Sequence, residues 1–168
     1  DEQNPADLGV PPDPGYEGVD GTAVPKDKKK GYDLHDIRHE TLWGNLMAGG
    51  AGVEYYFGYR LPQNDLLCED YRSRDRSWDF CRIALDFFRD QEVPFWEMEP
   101  NDALVGNPEG KSNLPWCLAK EGECYLIFVP AGVDTPDVPI AAPRTIISPE
   151  TGEEIEDAKE SERVIWVR

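Results

Sequence analysis

The 168-residue chain is long enough for one ordinary domain or two small ones. Its net charge of −17 repels a phosphate backbone and an anionic bilayer alike, which argues against nucleic-acid and membrane-surface partners. Hydrophobic residues at 39% and charged residues at 30% support a packed core, and no apolar run approaches the ~20 residues of a membrane span.

Residues 1–32 lack periodicity and carry Asn4-Pro5, Pro11-Pro12-Asp13-Pro14-Gly15 and the basic run Lys26–Lys30, so they read as a long loop. The sequence opens at Asp1 without a methionine, and the expectation is a removed N-terminal segment or an excerpt of a longer chain. Asp33 is placed to N-cap a helix over 34–47, where Leu34, Ile37, Thr41, Leu42, Asn45 and Leu46 recur at helical spacing. Gly49-Gly50 end it.

The aromatic run from Ala51 to Tyr59 reads as a buried strand, and a helix followed at once by a strand suggests a parallel α/β unit. Glu54 is the single charge in that run, and a buried carboxylate requires a partner or a function. Arg38, Arg60 and Arg72 are its candidate partners. A polar loop follows over 60–72, then a helix at about 73–89 with an apolar face of Trp78, Cys81, Ile83, Ala84, Leu85, Phe87 and Phe88. Pro94 marks its exit.

From about residue 103 the pattern becomes antiparallel β. Residues 115–130 read as a hairpin about Glu121-Gly122, Thr145-Ile146-Ile147 as a third strand, Pro149 to Gly152 as a turn and Val164 to Val167 as the last strand. So few strands are expected to lean on the preceding helix. The domain boundary falls near 95–105.

Four cysteines, Cys68, Cys81, Cys117 and Cys124, fit no zinc-ribbon or redox spacing. In the simplest hairpin register Ala119 faces Cys124 and Cys117 faces Leu126, which makes Cys117 and Cys124 diagonal neighbours, poorly placed for a disulfide. All four are read as thiols in packing positions. His35 and His39 stand one helical turn apart, as a metal pair would. With no third ligand evident in the sequence, surface or capping roles are the expected ones. The acids between 64 and 70 lack the calcium-loop pattern, and there is no nucleophile elbow, phosphate loop or dinucleotide fingerprint.

The order loop, helix, aromatic strand, loop, helix and β-unit resembles bacterial proteins with a glycoside-hydrolase-like (β/α)8 barrel and a C-terminal β-domain named for collagen binding. The matching residues are Asp1-Glu2-Gln3, the block from Leu42-Trp43-Gly44 to Phe57-Gly58-Tyr59, Asp70 to Trp78, Pro94 to Met98 and Tyr125 to Gly132. The resemblance implies an α/β-plus-β architecture. Residues 1–100 would be the C-terminal segment of a barrel, from the end of the seventh strand to the eighth helix, and residues 101–168 a small antiparallel β domain.

It also implies a chemistry. Glu2 would lie just after the seventh strand, at the face where barrel active sites form, and would be the catalytic nucleophile. Asp1, Glu54, Tyr56, Tyr59, Asp65, Asp70 and Arg72 would contact substrate. The substrate would be a poly- or oligosaccharide, cleaved by two carboxylates without a cofactor or metal. The earlier strands and the acid/base carboxylate lie outside this sequence. They would come from the same or another chain, and the fragment alone is expected to be inactive. Such a protein would work outside the cytoplasm, extracellular or periplasmic. The alternative is a non-catalytic carbohydrate- or matrix-binding or interaction module.

Overall fold

The computed structural model describes residues 9–16, 33–57 and 71–168. Helix α1 is one continuous rod that starts as Leu34–Asp36, widens to π winding over Ile37–Gly44 and closes as Asn45–Met47. Its start is a capping box. The Asp36 N–H donates to Asp33 Oδ1 at 3.0 Å and the Asp33 N–H to Asp36 Oδ2 at 2.9 Å. Its end is a paired backbone cap, with Gly50 N–H donating to Asn45 O and Gly49 N–H to Leu46 O while Gly49 turns left-handed at φ 83°. Both ends lie where the sequence places them.

A 3-10 turn over Tyr71–Arg74 leads into helix α2, Asp75–Asp90. Asp13, distant in sequence, supplies its cap: Asp13 Oδ2 accepts the Arg76 N–H at 3.0 Å. α2 buries Phe80, Ile83, Ala84 and Phe87. Leu85, expected on the apolar face, is instead 70% exposed, and Phe80 takes the buried position.

Five strands follow: β1 Glu99–Pro100, β2 Trp116–Lys120, β3 Cys124–Val129, β4 Arg144–Ile147 and β5 Arg163–Val167. They form one antiparallel sheet in the order β1-β2-β3-β5-β4. Trp116, Leu118, Leu126, Phe128, Val164 and Trp166 face the helices and share a core with Leu42, Trp43, Met47, Phe80 and Phe87. Cys117, Tyr125, Ile127, Val129, Ile165 and Val167 face the other way, under Leu104, Val105, Val133, Val138 and Ile140. With both faces covered, the strands read as continuous apolar runs rather than as alternation. Arg163, 1% exposed, pins the covering segment by donating to Val133 O and Thr135 Oγ1, each at 2.9 Å.

Two expectations are corrected. Among the described residues, 51–57 form no strand; Val10 N–H donates to Tyr56 O, whereas a ladder needs a series of such bonds. Residues 58 and 59 lie outside the described residues, and every strand pair in the described residues is antiparallel. The hairpin register is also one residue away from the expected one: Lys120 faces Cys124, Ala119 faces Tyr125 and Cys117 faces Ile127. Cys117 and Cys124 thus lie on opposite faces of the sheet, and both are free thiols. No helix in the described residues is long and apolar enough to cross a membrane.

Candidate functional site

Three basic side chains leave one face of α1 at the i, i+3, i+4 spacing of 35, 38 and 39. They converge on one carboxylate, Glu162, just before β5. His35 Nε2 lies 2.9 Å and His39 Nδ1 2.5 Å from Glu162 Oε1. Arg38 donates to Glu162 Oε2 through Nη2 at 2.8 Å and Nε at 3.2 Å. Glu150 stands 3.7 Å from Arg38 at the rim. Arg38, His39 and Glu162 are buried, whereas the His35 side chain is 54% exposed.

His39 Nε2 meets the Ser112 carbonyl at 2.8 Å. Both ring nitrogens therefore face acceptors, an arrangement that favours the doubly protonated ring. Burial alone would lower the His39 pKa, but the Glu162 carboxylate outweighs it, aided by the Ser112 carbonyl and Glu40, and the net direction is upward. Burial would likewise raise Glu162, yet the hydrogen bonds and charges of His39 and Arg38 bring it down to about 2.

A second cluster forms where three distant segments meet. Arg74, fully buried, donates to Val10 O at 3.1 Å and Ser73 Oγ at 2.8 Å, and its guanidinium lies 4.5 Å from the centre of the Phe57 ring. Asp13 N–H donates to Ser73 O at 2.7 Å and Val10 N–H to Tyr56 O at 2.6 Å. Residues 9–13, 56–57 and 71–76 thus form one packed cluster.

Of the residues expected to act on sugar, Asp1, Glu2, Tyr59, Asp65 and Asp70 lie outside the described residues. Tyr56 is half-buried and belongs to this cluster through its carbonyl. Arg72 is exposed on the 3-10 turn. Glu54 is exposed, not buried, because residues 51–57 do not form the expected core strand. It needs no ion pair, and Arg38, one of its expected partners, is committed to Glu162.

An apolar groove of about 310 Å³ opens between α1, residues 49–53 and α2, lined by Leu42, Leu46, Val53, Leu85 and Phe88, with Phe95 at one side. Trp96, 70% exposed, is next to Phe95 in sequence, and their rings are in edge contact at 5.4 Å. Burial raises Cys81 and Tyr55, which share a 3.6 Å contact, and pushes Cys117 up to about 12, so neither thiol is a ready nucleophile at neutral pH.

The sequence reading named His35 and His39 but passed over Glu162. Glu160-Ser161-Glu162-Arg163 looks like any acidic lead-in to a strand, and it lies 123 residues from His39. Comparison with known proteins returned no match: no family model, no curated protein and no solved structure aligns with the chain.

Proposed function

We propose that the chain is the C-terminal part of a glycoside-hydrolase-like barrel protein that cleaves poly- or oligosaccharide with two carboxylates. Glu2 is the nucleophile, and the acid/base carboxylate comes from an earlier strand outside this sequence. The reading is supported above all by the cluster around Arg74. Barrel active sites are assembled from loops that follow successive strands. The segment after Glu2, the end of the 51–57 run and the lead into α2 are the loops that would meet there, and the described parts of all three are hydrogen-bonded together. Val10 is eight residues beyond Glu2 in sequence. Tyr56, with Asp65, Asp70 and Arg72 of the following loop, would then line the substrate cleft.

The apolar groove beside residues 49–53 supports the same reading. Exposed apolar surface of this kind suits packing against further chain, here the other strands and helices of the barrel. The protein would act on glycans outside the cytoplasm, in an extracellular or periplasmic setting.

The test is hydrolysis of a glycan panel by the native full-length protein and by its Glu2→Gln variant. Glu2→Gln is expected to lower kcat by at least ~10²-fold, since positioned carboxylates contribute on this scale even as acid or base. Glycan binding that survives Glu2→Gln, with no hydrolysis by either protein, would favour a binding module instead.

A further inference from the structure

The cluster at the start of α1 is separate from the sugar chemistry above. We propose that His35, His39 and Glu162 form a binding site for a divalent transition ion, zinc by its donor set. The ligands are His35 Nε2, His39 Nδ1 and Glu162 Oε1, with a fourth position open to solvent.

Two histidines and one glutamate with an open position are an established zinc donor set, and histidines four apart on a helix point their rings at a common ion. The three donor atoms all lie within 4.8 Å of one another. Tetrahedral bonds of about 2.0–2.1 Å hold neighbouring donors about 3.3 Å apart. Oε1 is now 2.9 Å from His35 Nε2 and 2.5 Å from His39 Nδ1, so small outward swings of the rings would admit an ion.

The surroundings match those of a metal ligand set. The Ser112 carbonyl holds His39 through Nε2–H, which fixes the ring and leaves Nδ1 to bind a metal in place of its proton. Arg38 engages the other carboxylate oxygen and so presents Oε1 alone. Asp36 Oδ1 stands 3.8 Å from His35 Nδ1, an outer carboxylate on the second ring. The exposed side of His35 gives the ion its entry route.

The experiment is titration of the chain with Co²⁺, read by visible absorption, followed by displacement with Zn²⁺. Saturable one-to-one binding is expected, with the intense band of a low-coordinate ion. His35→Ala, at a half-exposed position, should keep the fold by circular dichroism and weaken Co²⁺ binding at least ~10-fold, as even loss of an outer-shell partner does. His39→Gln should weaken it similarly. Asp33→Asn, which keeps a competent helix cap, should leave affinity unchanged. No saturable binding would overturn the proposal, as would affinity unchanged in both histidine variants. A loss in Asp33→Asn as large as in His35→Ala would move the ion to the exposed Asp33–His35–Asp36 group and also overturn it.

Discussion

Glu162→Ala is expected to lower folding stability by about 3–5 kcal/mol, because it leaves the buried Arg38 guanidinium without its counter-charge and the buried His39 ring without its acceptor. Glu162 accepts from Arg38 through one oxygen and from His35 and His39 through the other, and Arg38 and His39 are buried with it. The residue ties α1 to the start of β5, so its loss also loosens the seam between helix and sheet. Glu150 provides the control. It reaches the same Arg38 at 3.7 Å, but its side chain is 61% exposed. Solvent screens such a pair, and Glu150→Ala should change stability by no more than about 0.5 kcal/mol. Urea unfolding of the three proteins measures both effects as shifts in midpoint at constant slope. Equal shifts for the two variants would mean that the buried carboxylate contributes no more than the rim one.

Trp43→Ala is expected to be as damaging, at about 3–5 kcal/mol, by the cavity it opens. Trp43 is 0% exposed. Its ring lies 6.2 Å from Phe87, 6.4 Å from Phe88 and 6.0 Å from Phe128, so one side chain on α1 joins α2 to the central strand of the sheet. Removing it should lower Tm by on the order of 10 °C in a single transition. A variant that melts in two steps, with the sheet surviving the helices, would show that helices and sheet do not depend on this shared core.

Much of the fold is legible in the sequence because local chemistry decides it. Asp33 and the Gly49-Gly50 pair bound α1, and the apolar strands of the hairpin and of β5 stand out by composition. The hairpin register is not legible in this way. It is set by a three-residue loop, Glu121-Gly122-Glu123, in which Gly122 turns left-handed at φ 79° and donates its N–H to the Tyr125 hydroxyl at 2.8 Å. A one-residue shift flips every side chain to the other face, which is why Cys117 and Cys124 do not share one. The run from Ala51 has strand-like composition, yet pairing is a property of neighbours and not of composition.

The candidate metal centre illustrates the same limit. His35 and His39 are visible as a helical pair, whereas their third ligand, Glu162, arrives from the far end of the chain once β5 has paired with β3. Arg74 is similar. In sequence it is one of several arginines in a polar stretch, and only the fold surrounds it with Val10, Ser73 and Phe57.

The most direct test of the barrel assignment is an experimental structure of the native full-length protein. The groove between α1 and α2 should be filled by other parts of the barrel, and Glu2 should face a second carboxylate across a cleft at ~5 Å or wider. A full-length structure in which the groove faces solvent and Glu2 faces no second carboxylate would contradict the barrel and the glycosidase chemistry that depends on it.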